Sequence, residues 1–185
     1  MRKIIETVTE EVAEVLKNLD ESQVVVLGHQ ITSAKRIFVS GTGRSGLIGK
    51  VFAMRLMQSG YSVYVVGETI TPSIGKEDLL IIISGSGSTG SLVQFAEKAK
   101  DVGTDLALVT TNRDSKIGQL SNCTVFIPAA TKKRESHEPG TIQPLGSQFD
   151  QSAHLLLDAL MVHLLQAKSD ESDNTNLNKR HANLE

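Results

Sequence analysis

The chain has 185 residues, enough for one domain with a sizeable hydrophobic core. It is 39% hydrophobic and 22% charged with a formal net charge of -2, which gives no electrostatic case for nucleic acid or an anionic membrane surface as a partner. A single cysteine, Cys123, excludes an internal disulfide or a cysteine metal cluster and suits a reducing compartment. In chain order, Met1-Arg2-Lys3-Ile4-Ile5 soon meets Glu6, Glu10 and Glu11, so no signal-peptide core is read there. No apolar run approaches the roughly 18 residues that a membrane span needs, and a cytoplasmic location is expected. Ile4, Ile5, Val8, Val12, Val15, Leu16 and Leu19 recur at steps of three and four, as in an amphipathic helix. The stretch 22–32 is ambiguous: Val24, Val25, Val26 and Leu27 favour a strand, whereas Ser22 suits a helix cap, and helix is preferred.

From there the pattern alternates. Strands are expected near 36–40, 61–66, 79–83, 105–110 and 124–127, and helices near 45–58, 89–101 and 114–121. Continuous Val/Ile/Leu strands alternating with helices predict an α/β fold, a parallel sheet covered on both faces with right-handed crossovers. Residues 128–148 carry three of the four prolines and read as a long loop, a functional or mobile segment. A last helix is expected from about Phe149 to Gln166, and the Ser/Asp/Asn-rich stretch 168–179 reads as disordered on composition. There is no internal repeat and no domain boundary, so 1–185 is expected to be one domain with a helical arm over about 1–32.

Two glycine-rich turns carry the chemistry. Gly41-Thr42-Gly43-Arg44-Ser45-Gly46 follows the first strand, and Ser84-Gly85-Ser86-Gly87-Ser88-Thr89-Gly90 follows the third. Each reads as a buried strand, a tight turn and a helix start, and a helix N-terminus offers free N–H groups to an anion. Two such turns point to a phosphorylated ligand. The first turn fits the dinucleotide pattern G-x-G-x-x-G, with Glu68 placed 22 residues beyond Gly46 as a ribose-binding acid would be. That reading leaves the hydroxyl-dense second turn unexplained. A nucleotide P-loop is excluded because Arg44 stands at its first glycine and Val51 follows Lys50 where Ser or Thr would hold magnesium.

Ser84-Gly-Ser86-Gly-x-Thr89 resembles the phosphate loop of the SIS (sugar isomerase) domain, and further motifs narrow the likeness. Gly41-Thr-Gly-Arg44-Ser45-Gly46, Phe52-Ala-Met-Arg55-Leu-Met57, Val66-Gly-Glu68-Thr-Ile-Thr71-Pro72 and Lys179-Arg180-His181-Ala-Asn183-Leu184 together resemble the 6-phospho-3-hexuloisomerase family. The resemblance implies a single SIS domain, a flavodoxin-like five-stranded parallel sheet between helix layers with an extra N-terminal helix, assembled as a homo-oligomer, a tetramer in the usual case. It implies interconversion of D-arabino-hex-3-ulose 6-phosphate and D-fructose 6-phosphate, in the ribulose monophosphate route and coupled to 3-hexulose-6-phosphate synthase, with no cofactor and no metal.

Moving the carbonyl from C3 to C2 needs a base beside both carbons and a donor for the enediolate oxygen. Phosphate binding is assigned to Ser45, Ser84, Gly85, Ser86, Gly87, Ser88 and Thr89, with Arg44 assisting or forming only an ion pair. Three groups compete as proton carriers. Asp150 stands where the family commonly has a glutamate, at the start of the last helix. Glu68 follows the second strand. His181, in the tail 168–185, is expected to reach a neighbouring subunit's pocket. Two other readings remain: a SIS isomerase of a different sugar phosphate, and a sugar-phosphate-binding module without catalysis, although the usual DNA-binding domain of such sensors has no room here.

Overall fold

The computed structural model describes residues 1–167 and 174–184. Five strands, β1 (Ile37–Gly41), β2 (Val63–Val65), β3 (Leu79–Ile83), β4 (Asp105–Thr110) and β5 (Cys123–Phe126), form one parallel sheet in the order β2-β1-β3-β4-β5. Between and around them run α1 (Arg2–Lys17), α2 (Glu21–Ser33), α3 (Gly43–Gln58), α4 (Gly90–Val102), α5 (Lys116–Leu120), α6 (Ser147–Ala167) and α7 (Asn174–Lys179). Ile37 pairs with Leu79 and Gly41 with Ile83, so β1 and β3 end level. The chain leaves β1 toward β2 on one side, whereas β3 leads away to β4 on the other. This reversal of strand order opens a crevice at the carboxyl ends of β1 and β3, where ligands of open α/β sheets bind. Both glycine-rich turns lie at that crevice.

Successive strand residues face opposite sides of the sheet. Ile37, Val39, Ile81, Ile83 and Val109 pack under α1, α2, α3 and α6 with Val15, Leu27, Phe52 and Leu157. Phe38, Leu80, Ile82 and Leu108 pack under α4 and α5 with Leu92, Ala96 and Ile117. Burial on both faces is why these strands read as unbroken apolar runs. Cys123 is a packing residue: burial pushes its thiol up to about 11.

The structure departs from expectation at four places. The expected strand 61–66 pairs only over Val63–Val65, because Tyr61 N–H turns back to Leu56 O and Gly67 adopts φ 98° at the other end. Segment 22–32 is helical, but Asp20 rather than Ser22 caps it, accepting from Ser22 N–H. Leu27 and Ile31, one turn apart, are buried, and that packing overrides the strand preference of the valines. The last helix begins at Ser147, and Asn174–Lys179 is a short helix where composition suggested disorder. Residues 168–173 and 185 lie outside the described residues.

The long loop is knitted by carboxylates. Thr131 donates N–H and Oγ1 to Glu138, and Glu11 on α1 accepts from Thr141 Oγ1 at 2.6 Å, Ile142 N at 2.8 Å and Gln143 Nε2 at 3.0 Å. At the opposite end of the sheet Arg36 pairs with buried Asp78, which also accepts from Gly75 N–H. Burial pushes the Asp78 carboxyl up, but the bonds from Arg36 and Gly75 outweigh it and hold the group below the usual range; the same balance lowers Glu11 and Glu138. A carboxyl lowered on folding stabilises the fold above its unfolded pKa, near 4, and that stability is lost as pH falls through the folded value. We therefore expect the melting temperature to drop steeply below about pH 4. Asp78→Asn should flatten that drop, as read from thermal melts across pH.

Candidate active site

Close approach of β1, β3 and α3 requires glycine at the first turn. A Cβ on Gly46 would stand 2.7 Å from Gly41 O, so no side chain fits between the end of β1 and the first turn of α3. In the second turn Gly87 adopts φ 58°, the left-handed region that glycine tolerates. The N-cap residues of α3 and α4, Thr42 and Thr89, make no side-chain capping bond. The first-turn N–H groups of both helices are therefore left without a side-chain acceptor at the carboxyl end of the sheet, where the helix dipoles favour an anion.

The second turn is built from inside. Gly85 O accepts from Thr110 Oγ1 at 3.0 Å, Thr111 N at 3.1 Å and Thr111 Oγ1 at 2.8 Å. Ser84 is buried, and its hydroxyl oxygen accepts from Gly87 N–H at 3.1 Å, while Gly87 O accepts from Ile117 N. Ser86 Oγ accepts from Ser88 N–H at 3.3 Å. Ser86 and Ser88 are exposed and Thr89 is half-buried, so their hydroxyls line the outer side of a turn whose backbone is tied from beneath.

Asp150 lies in the first turn of α6, next to Phe149, whose ring packs 3.4 Å from where a Cβ on Gly85 would stand. Its carboxylate is 7% exposed and reaches the first turn. Arg44 Nε donates to Oδ2 at 3.0 Å and Ser45 Oγ donates to Oδ1 at 2.9 Å. The structure thus brings Arg44, Ser45, Asp150 and the Ser84–Thr89 turn to one crevice. Arg44 makes its ion pair to a buried carboxylate. Each carboxylate oxygen has two lone pairs, which leaves Asp150 acceptor capacity toward a ligand.

Glu68 is set apart from this group. It sits in the turn after β2 and accepts from Lys50 Nζ of α3 at 2.8 Å, both side chains being about half exposed. His181 is not brought to the crevice of its own chain. It borders a second cleft, of about 330 Å³, with Arg55, Gln58, Ser59 and Asp158 at the far end of α3, and its Nδ1 lies 3.1 Å from Ala182 O. The run of α3 from Arg44 to Arg55, roughly 17 Å of helix rise, separates that cleft from Arg44.

Sequence reasoning missed Thr110 and Thr111, which fasten the phosphate-loop backbone, and Ser40 and Lys50, which line a cleft of about 200 Å³ between the ends of β1 and β2. The signal for the threonines was present: polar residues directly after an apolar strand, as at Ser84. Lys50 carried no such mark, since only the strand order places it.

Comparison with known proteins follows the same lines. The SIS domain family model matches residues 30–142. A 3-hexulose-6-phosphate isomerase of Bacillus subtilis is 40% identical over 184 residues, 96% of this chain and 98% of that one. A 3-hexulose-6-phosphate isomerase of Mycobacterium gastri is 42% identical over 178 residues, 96% and 88% of the two chains. A solved structure from Methanococcus jannaschii, for which a molecular function of 3-hexulose-6-phosphate isomerase was inferred, superposes with a TM-score of 0.85 at 33% identity and 98% coverage of both chains.

Proposed function

The chain belongs to the SIS domain family, and from that premise we propose that it is a cofactor-independent isomerase interconverting D-arabino-hex-3-ulose 6-phosphate and D-fructose 6-phosphate. The observation that carries this is 40–42% identity, over nearly the full length, to relatives bearing that activity's name. The crevice is suited to it. The Ser84–Thr89 turn, with the N-terminus of α4 behind it, takes the phosphate through the hydroxyls of Ser86, Ser88 and Thr89 and its outward N–H groups. Buried Ser84, bonded to Gly87 N–H, and Gly85, whose carbonyl Thr110 and Thr111 hold, fix its shape. Arg44, with the guanidinium N–H groups that Asp150 does not take, and the first-turn N–H groups of α3 close the anion, while the Ser45 hydroxyl holds Asp150. Charge-assisted hydrogen bonds of this kind contribute about 1.5–3 kcal/mol each, so several hold a sugar phosphate without a lysine in the loop.

Asp150 acts as the base. It takes the proton from C2 as the C2–H electron pair forms the C2=C3 bond and the carbonyl pair moves to O3. O3 is protonated to the 2,3-enediol, O2 gives up its proton, the carbonyl forms at C2 and a proton returns to C3. Atoms and electrons balance with no oxidant. Glu68 orients the sugar's hydroxyls, and His181 is the acid delivered to a neighbouring subunit's pocket.

A homo-oligomer, a tetramer by the resemblance, is part of this reading, and exposed apolar stripes support it: Leu47 and Met54 on α3, and Leu155 and Val162 on α6, each pair two turns apart. None of the described helices is long and apolar enough to cross a membrane. Substrate supply by 3-hexulose-6-phosphate synthase belongs to the same reading.

Incubation with D-fructose 6-phosphate in deuterated water is expected to place deuterium at C3, read by NMR, and a binding module exchanges nothing. Synthase with formaldehyde and ribulose 5-phosphate then separates this isomerase from SIS relatives acting on other sugars. The same coupled assay on a chain lacking residues 176–185 is expected to show strongly reduced turnover, and unchanged turnover removes His181 from the site.

A further inference from the structure

Lys50 has no role in the reaction described so far, and the enediolate oxygen still lacks an assigned donor. Lys50 lines the cleft at the ends of β1 and β2 together with Ser40, Gly41, Gly46 and Val66. Helical side chains lean toward the helix N-terminus, so Lys50 leans from α3 toward its first turn, the turn that holds Arg44 and Ser45. Glu68, in the turn that follows β2, accepts from its ammonium at 2.8 Å. An ion pair this exposed adds little to stability, so the fold itself gives small reason for one at the mouth of a cleft.

Distance decides what reaches it. Adjacent strands lie roughly 4.8 Å apart, which puts the gap between β1 and β2 about 7 Å from the end of β3. In an extended hexulose 6-phosphate, five bonds separate phosphorus from C3 and six separate it from C2. Bonds of about 1.5 Å in a zigzag span roughly 6–8 Å over that count. A phosphate held on the turn after β3 therefore lays C2 and C3, with their oxygens, across the first turn of α3, which holds Asp150 through Ser45 on one side and borders the Lys50 cleft through Gly43 and Gly46 on the other. The loop selects phosphate, and the reacting carbons lie between Asp150 and the cleft.

Building on the isomerase reading, we propose that Lys50 is a catalytic residue, its ammonium donating hydrogen bonds to O2 and O3 of the enediolate, with Glu68 positioning it. The neutral carbonyl gains little from the cation. The oxygen that receives the carbonyl pair as C2 loses its proton gains far more, and that difference between ground state and transition state is what accelerates the step. Lys50 keeps its proton throughout, so the proton balance is that of the enediol sequence.

The test compares Lys50→Met, Lys50→Arg and Glu68→Gln with the parent in the synthase-coupled assay, using competitive inhibition by inorganic phosphate as the probe of the phosphate loop. Lys50→Met is expected to lose 100-fold or more in kcat with the phosphate inhibition constant within twofold of the parent. Lys50→Arg should recover to within tenfold, and Glu68→Gln should lose about tenfold in kcat. A Lys50→Met enzyme within threefold of the parent kcat overturns the proposal while the isomerase reading stands. A parent that neither turns over nor exchanges deuterium overturns both.

Discussion

Asp150→Asn is expected to lower kcat by about 10²–10⁴-fold, the span attributable to one general base, with the melting temperature close to the parent's. Asparagine preserves the shape of the side chain, and its oxygen still accepts from Ser45 or Arg44. It has no basic lone pair strong enough to take a proton from C2. Arg44, whose side chain is 63% exposed, loses its partner but stays hydrated, so the buried-charge penalty usual for a broken ion pair is small here. Asp150→Glu is the control, because a glutamate is common at this place in the family the chain resembles. The added methylene moves the carboxylate toward the crevice, and activity within about tenfold of the parent is expected, less than one general base contributes. A base is supported if the amide is inactive and the longer acid active. An asparagine variant with a third of the parent kcat removes Asp150 from proton transfer.

The parts of the fold that sequence reveals are those where one kind of burial dominates. β1, β3, β4 and β5 were legible to within a residue because each carries apolar side chains enclosed on at least one face. β2 was overextended because an edge strand ends where local turns take its hydrogen bonds, and periodicity does not register turns. The start of α6 was misplaced by two residues because Ser147 and Gln148 are polar yet buried; Gln148 Oε1 accepts from Ala130 N–H at 2.7 Å, a bond to a loop 18 residues away.

The candidate site was legible at its loops and illegible at its pairings. Glycine and serine after a strand announce an anion turn by themselves. That Asp150 joins Arg44, 106 residues earlier, depends on α6 packing beside α3 across the crevice. Lys50 and Glu68 were weighed singly, one against a nucleotide loop and the other as a ribose acid. Their pairing follows from β2 lying next to β1, which the local sequence does not encode.

The second large effect is expected at Gly87. A Cβ there would overlap Ser115 Oγ and stand 2.6 Å from Ser115 Cβ. The residue also has φ 58°, which costs an L-amino acid about 1–2 kcal/mol. Ser115 is not free to withdraw: its hydroxyl caps α5 by accepting from Gly118 N–H at 3.1 Å. Gly87→Ala must therefore push the phosphate turn outward, away from the bonds that Thr110, Thr111 and Ile117 make to it. The backbone cost alone lowers the melting temperature by roughly 2–8 °C. Displacement of the turn should raise KM for the phosphosugar at least tenfold, about 1.4 kcal/mol of lost phosphate binding, with a smaller change in kcat. Adding Ser115→Gly removes the overlapping atoms but not the positive φ, so the double variant should recover most of the KM and little of the melting temperature. A Gly87→Ala enzyme with the parent's KM would mean that the turn after β3 does not hold the phosphate, and the assignment of Ser84, Ser86 and Thr89 would fall with it.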